Sequence, residues 1–287
     1  MAIQKLVTLA LLCAAAAAGA EPGALFPIRE LGLWGYMDGT GKVVIRPAYQ
    51  DAQHFAEGLA PVKIGDRFGY IDPQAKVVLA PQFDEARFFY HGIAPVRKGA
   101  KWGYIRPNGE FAIPPRFDTA RSFQNDVARV NIGGRWGYIG FDGKLIIPVK
   151  FDGSNGFTEE LAPVQSGKLW GFIDKKGAFA IQPRFELANS FGEGLAAVKI
   201  DGRWGYIDRT GKLAFAARFD EAGEMSEGLA PARIGSKWGF IKSDGAYVLE
   251  PVFDAAKPFR DGLAEVGIEQ RMAYIDRAGR IVWQERY

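Results

Sequence analysis

Large apolar residues return along this chain at a fixed phase every 34 residues. One column reads Met37, Ile71, Ile105, Ile139, Ile173, Ile207, Ile241 and Ile275. The column before it is aromatic throughout: Tyr36, Tyr70, Tyr104, Tyr138, Phe172, Tyr206, Phe240 and Tyr274. Adjacent strand residues point to opposite faces, so both faces carry large apolar groups in every copy. Such a sheet must be covered on both sides, and stacking unit on unit covers it. Within one copy, Leu195–Ile200, Trp204–Asp208 and Lys212–Phe215 read as three strands, separated by turns at Asp201-Gly202 and Thr210-Gly211. Short loops ending in glycine between β-rich runs predict hairpins, because the turns that match strand twist need positive φ. The next stretch, Phe219–Gly228, reads as a short fourth strand with a Glu-Gly turn, or as a loop with one helical turn; the strand is preferred.

A dipeptide marks the same period. Trp34-Gly35 is followed by Phe68-Gly69, Trp102-Gly103, Trp136-Gly137, Trp170-Gly171, Trp204-Gly205 and Trp238-Gly239, and Met272-Ala273 closes the series. Thirty-four is also the length of a helical tetratricopeptide repeat. Several glycines per copy, and prolines at Pro47, Pro81, Pro115, Pro183 and Pro251, exclude that reading. Leu25–Arg29 is in register with Leu59–Lys63 and Tyr287 with Phe253, giving eight three-strand meanders and seven connectors. We expect an all-β, propeller-like fold of tandem 34-residue β-meanders, with an open β-solenoid or superhelical array as the alternative. Eight equal units suit a ring, although no strand looks held over to close one.

The run Trp-Gly-[Tyr/Phe]-Ile-Asp, then Gly-Lys, a short aliphatic strand, Pro, Phe-Asp and Gly-Leu-Ala-Pro-Val, resembles the bacterial WG-repeat (KWG-repeat) family over Leu25–Tyr287. The resemblance implies an all-β repeat protein, often exported, with no activity common to the family. Departures from the pattern are Phe68, Met272-Ala273 and the glycine-rich connector Asp152–Gly156.

Residues 1–20 read as a secretory signal: Lys5, an apolar stretch from Leu6 to Ala18, and small residues Ala18-Gly19-Ala20 before Glu21. Residues 21–287 then form a single repeat domain, periplasmic or secreted. A lipoprotein is the minor alternative, because Leu12 poorly suits lipidation at Cys13, the only cysteine. The mature chain therefore has neither disulfides nor thiolate chemistry. A net charge of +3 without a Lys/Arg run argues against nucleic acid, and no later segment is apolar enough for a membrane helix.

Candidate chemistry is sparse. The repeated Trp34, Trp102, Trp136, Trp170, Trp204 and Trp238 are read as repeat core, with stacking on glycans as the competing role. Carboxylates at Asp84, Asp118, Asp152, Glu186, Asp220 and Asp254 are read as caps of the connectors, and Asp38, Asp72, Asp174, Asp208 and Asp276 likewise as turn residues. His54 and His91 lack a third ligand and are read as exposed loop residues, so no metal and no cofactor is expected. Neither a nucleophile elbow nor a longer catalytic loop interrupts the repeat, and no enzyme is expected. Arg67, Lys101, Arg135, Arg203 and Lys237, before the repeated aromatic, form a candidate partner-binding edge. The expectation is an exported, non-enzymatic scaffold for an envelope protein, with a glycan-binding module as the alternative.

Overall fold

A computed structural model describes residues 23–286, and every regular element within them is a β-strand. The expected signal segment, residues 1–20, lies outside the described residues. The first meander is β1 (Leu25–Glu30), β2 (Leu33–Asp38) and β3 (Val43–Tyr49), a three-stranded antiparallel sheet in that order. The second shows the full unit: β4 (Asp51–Ala52), β5 (Ala60–Ile64), β6 (Arg67–Ile71) and β7 (Val77–Phe83), paired in sequence. Six more four-stranded sheets repeat it, ending with Ile281–Gln284. These are the blades of an eight-bladed β-propeller, with a strand of two residues, or six at Leu187–Gly192, innermost and a largely exposed strand of seven, or four at Ile281–Gln284, at the rim.

The connectors thus supply the fourth strand, and no helical turn forms there. Beyond β4, the Gln53 N–H donates to Pro61 O at 3.1 Å, and Ala56 bridges Leu59 around a turn with Glu57 at φ 52° and Gly58 at φ 77°. The glycine-rich connector behaves no differently: Gly153-Ser154 pairs with the next strand as Asp51-Ala52 does.

The apolar core lies between blades. Trp102, Tyr104, Ile113 and Phe117 of blade 3 pack on Ala120, Phe123, Ala128, Val130 and Ile139 of blade 4. The aromatic column adds a polar tie, since the tyrosine hydroxyls of the earlier blades reach the innermost segment of the following blade. Tyr36 donates to Gln53 O, Tyr70 to Arg87 O, Tyr104 to Arg121 O and Tyr138 to Asn155 O, all at 2.8–2.9 Å. Both faces of this strand are therefore used, as the sequence pattern required.

The ring closes without strand exchange. Phe26, Ile28 and Met37 of blade 1 share a buried cluster with Leu263, Tyr274 and Trp283 of blade 8. The turn glycine Gly41 sits on the Val282 backbone, as Gly177 sits on Ile147 one blade back elsewhere. Arg29 pairs with Glu285 at 3.1 Å. Blade 1 has no innermost strand among the described residues, so the Tyr274 hydroxyl has no such carbonyl to bind. It donates instead to Pro27 O at 2.9 Å, the acceptor which that strand's N–H satisfies in the other blades. The open-array alternative is thereby excluded.

The glycine of the dipeptide has a steric cause. In blade 4, Trp136 lies opposite Phe151, but Tyr138 lies opposite Ile147, so the rim strand bulges between them. The bulge drives its backbone at Gly137: a Cβ there would stand 2.7 Å from Ile147 O and 2.8 Å from Val149 N. Blade 8 carries no such bulge. Ala273 faces Gln284 and Tyr274 faces Trp283 as consecutive pairs, the strand's one shift coming only after Tyr274, so a methyl group is tolerated. The eighth copy departs from Trp-Gly where the bulge that demands glycine is missing.

Candidate functional site: the central channel and its mouth

The proposed binding edge lies where the second and third strands of each blade turn. Its five cations are exposed, and each is ion-paired with the carboxylate 17 residues on: Arg67 with Asp84, Lys101 with Asp118, Arg135 with Asp152, Arg203 with Asp220 and Lys237 with Asp254. The other oxygen of the carboxylate accepts a turn N–H of the following blade, as Asp118 does from Gly133 at 2.7 Å. These carboxylates were expected to cap the connectors. They cap the neighbouring hairpin instead, because the chain crosses between blades at that residue and delivers the side chain to the next turn. The edge is a ring of alternating charge rather than a ladder of cations, and each exposed pair adds little stability. The second carboxylate series does act within its own turns, with Asp38 Oδ1 accepting from Thr40 N at 2.9 Å and Lys42 N at 3.1 Å.

None of the six repeated tryptophans is exposed. Trp102 and Trp204 are buried at 4% and 8%, and Trp34, Trp136, Trp170 and Trp238 are half-buried at blade interfaces. The indoles thus pack at the blade interfaces rather than forming an exposed row.

The informative departures from the repeat lie on the innermost strands. In the column of Gln53, an amide ties each strand to the next: Gln53 donates to Ala86 O, Asn155 to Ala188 O and Asn189 to Ala222 O, at 2.9–3.2 Å. Blades 3 and 4 place Arg87 and Arg121 there. Arg129 adds a third guanidinium from the column occupied by Pro27, Pro61, Pro95 and Pro163. Arg87 lies over the Trp102 ring at 5.0 Å, and Arg129 over Trp136 at 5.7 Å while donating to Asn155 Oδ1 at 2.8 Å. Burial, and then the Arg121 charge, lower the pKa of Arg87; the same causes in the same order bring Arg129 down to about 10. Both remain charged at neutral pH. Across the channel in blade 7, the Glu224 side chain is exposed, and desolvation by the surrounding protein raises its pKa. Sequence reasoning passed over these residues. The available signal was arginine in columns that otherwise hold amide or proline.

A second departure lies on the face formed by the innermost turns. There Glu57, Glu159, Glu193 and Glu227 each accept a glycine N–H of the next blade's turn, as Glu57 does from Gly92 at 2.9 Å. His91 and Asn125 interrupt this series. The His91 ring stacks on Tyr90 at 4.3 Å and faces Phe141 at 5.9 Å, and Phe141, 39% exposed, stacks on buried Phe123 at 4.4 Å.

His91 is exposed, but His54 is not a free loop residue. It lines a cavity of about 310 Å³ beside the seam, together with Phe26, Lys257, Arg260, Glu265 and Tyr274. Burial, followed by the Arg260 and Lys257 charges, lowers its pKa from 6.5 to about 4. The folded value lies below the unfolded one, so the contribution to stability is complete above pH 6.5 and is lost as pH falls toward 4. We expect a loss of up to about 2 kcal/mol between pH 6.5 and 5, read as a falling Tm. His54→Gln should flatten it. The raised pKa of Glu224 acts with the opposite sign, and the comparison of variants isolates His54. A His54→Gln variant whose Tm falls with pH as steeply as the wild type's would show the imidazole open to water. Among the described residues, no cluster of His, Cys, Asp and Glu is suited to a metal.

The ring and its axial channel define the chain as a β-propeller built of tandem repeats. The sequence model described as WG containing repeat matches residues 34–67, 68–102, 102–136, 136–170, 170–204, 204–238 and 238–270, and the chain belongs to that family. A comparison with curated proteins finds no match. Among solved structures, the chain is similar to dihydro-heme d1 dehydrogenase NirN in complex with DHE, with TM-score 0.62 at 14% identity over 96% of this chain and 76% of that one. It is also similar to a eukaryotic initiation factor (0.58, 9%, 91% and 84%) and to Kluyveromyces lactis Hsv2p (0.52, 10%, 82% and 96%). At such identities the likeness shows the fold alone.

Proposed function

We propose that this chain is an exported, non-enzymatic binding propeller that holds a protein partner in the cell envelope. Export rests on the tripartite pattern of residues 1–20. The absence of a catalytic role rests on the uniform turns, which leave no longer loop in which to assemble reacting groups. The observation that carries the partner reading is the Tyr90–His91–Phe141 stack on the inner-turn face, where an exposed aromatic breaks an otherwise polar ring. Rigid aromatics beside a channel mouth are the kind of anchor that dominates protein interfaces. The covered tryptophans weigh against the glycan alternative, and the pairing of each edge cation weighs against that edge as the main docking surface.

The test is affinity capture on envelope extract, with bound protein and glycan both identified by mass spectrometry. We expect one enriched protein, lost with Phe141→Ser and retained with Arg135→Gln/Arg203→Gln. Protein expressed from the full chain should be recovered from the envelope with Glu21 at its N-terminus. Capture lost only with the arginine variants would move the partner to the edge, and enriched glycan without protein would end the partner reading.

A further inference from the structure

We propose that the central channel binds an oxyanion, the carboxylate or phosphate group of a small solute, between Arg87, Arg121 and Arg129. This site goes beyond the partner reading and does not depend on it. The two column arginines do not make the tie that the amides of that column make. An amide in that column donates to the carbonyl of the following innermost strand, as Asn155 does to Ala188 O at 3.2 Å, and it does so without introducing charge. Arg121 makes no such bond. The carbonyl it would have reached, Ser154 O, already accepts from Arg129 Nη1, so the tie between blades 4 and 5 is made by another residue. Arg121 Nε and Arg87 Nε are both buried without a hydrogen-bond partner. None of the three guanidiniums forms an ion pair with a carboxylate among the described residues, because Glu85, the nearest on its strand, is engaged with Arg97 at 3.0 Å.

Three like charges thus face one channel, opposed by the Glu224 carboxylate acting on Arg129 and by the already paired Glu85 acting on Arg87. Arginine in place of glutamine or asparagine there adds repulsion and leaves both Nε donors unused, and the one return inside the protein is the contact of Arg87 with the Trp102 ring. An anion in the channel balances that charge at the accessible ends of the half-buried guanidiniums. Planar guanidinium forks match the oxygens of carboxylate and phosphate, and charge-assisted bonds of this kind are strongest when partly removed from water. The site is preorganised, since Arg87 lies on the Trp102 ring and Arg129 is held by Asn155 and lies over Trp136. All three side chains are half-buried, so a small solute in the channel can reach them.

The experiment is calorimetric titration, at constant ionic strength, of protein expressed from the full chain, with inorganic phosphate in one arm and citrate in the other. We expect saturable binding of at least one, weakened about tenfold or more by Arg121→Gln, as befits loss of a charged hydrogen bond. Glutamine stands at this position in blade 2, so the variant should fold. Without anion its Tm should equal or exceed the wild-type value, and the anion should raise the wild-type Tm but not the variant's. Arg46→Gln, on the exposed rim, should bind as wild type does. Binding in one arm alone assigns the group as phosphate or carboxylate. No saturable heat in either arm, or equal binding by Arg121→Gln, overturns the proposal. Phe141→Ser should leave anion binding unchanged, so the two readings can fail separately.

Discussion

Gly137→Ala is expected to destabilise the propeller by about 3 kcal/mol or more, at the upper end of what overpacking costs. The reason is that the neighbours cannot yield. The new Cβ would meet main-chain atoms, Ile147 O at 2.7 Å and Val149 N at 2.8 Å, rather than the end of a flexible side chain. Those atoms form the bulge that bends the rim strand between Ile147 and Phe151, and both ends of the bulge are paired to the strand that carries Gly137. Relief requires opening the bulge, and with it the seating of Phe151 in the core shared with blade 5. The reverse change in the last blade, Ala273→Gly, should cost no more than about 1 kcal/mol, the ordinary penalty for glycine inside regular structure. Thermal melts of the two variants check the pair. A Gly137→Ala protein that melts with the wild type would show the bulge to be soft.

That contrast shows how far the sequence could be read. The period, the buried columns, the two-residue turns and the fourth strand were legible, because strand alternation and positive-φ turns leave direct marks on residue type. The bulge was not legible: it is set by a register slip between two strands, and the glycine answering it looks like any other strand glycine. The same limit applied to Met272-Ala273, whose departure follows from the closing strand's lack of a shift before Tyr274. Closure of the ring was equally hidden, since it rests on Tyr274 reaching Pro27 across the whole chain, with no strand held over to announce it. The site residues divide in the same way. The edge cations stood out as a series, yet their partners 17 residues on became visible only once the crossing between blades was known. Arg87, Arg121 and Arg129 were masked because a lone arginine in a connector resembles solvated surface until the column is seen to line a channel.

Trp102→Ala should cost roughly 3–5 kcal/mol, the range for truncating a large buried aromatic. At about 2–4 °C per kcal/mol for a chain of this size, Tm should fall by roughly 6–20 °C. The indole is 4% exposed and sits between blades 3 and 4 against Phe117, Ala120 and Val130, so its removal leaves a void that two rigid sheets cannot close. Trp102→Phe should be far milder. Phe68 occupies the same position in blade 2 at 7% exposure, in a cluster of the same kind. The two substitutions also separate packing from platform. Trp102 carries the Arg87 guanidinium at 5.0 Å, and phenylalanine restores bulk with a smaller and weaker π-face. A Trp102→Phe protein that melts near wild type but binds phosphate or citrate more weakly would therefore show the indole serving the channel as well as the core. Unchanged melting of Trp102→Ala would instead mean that the blades slide together over the gap, and that the interface between blades 3 and 4 is looser than its burial implies.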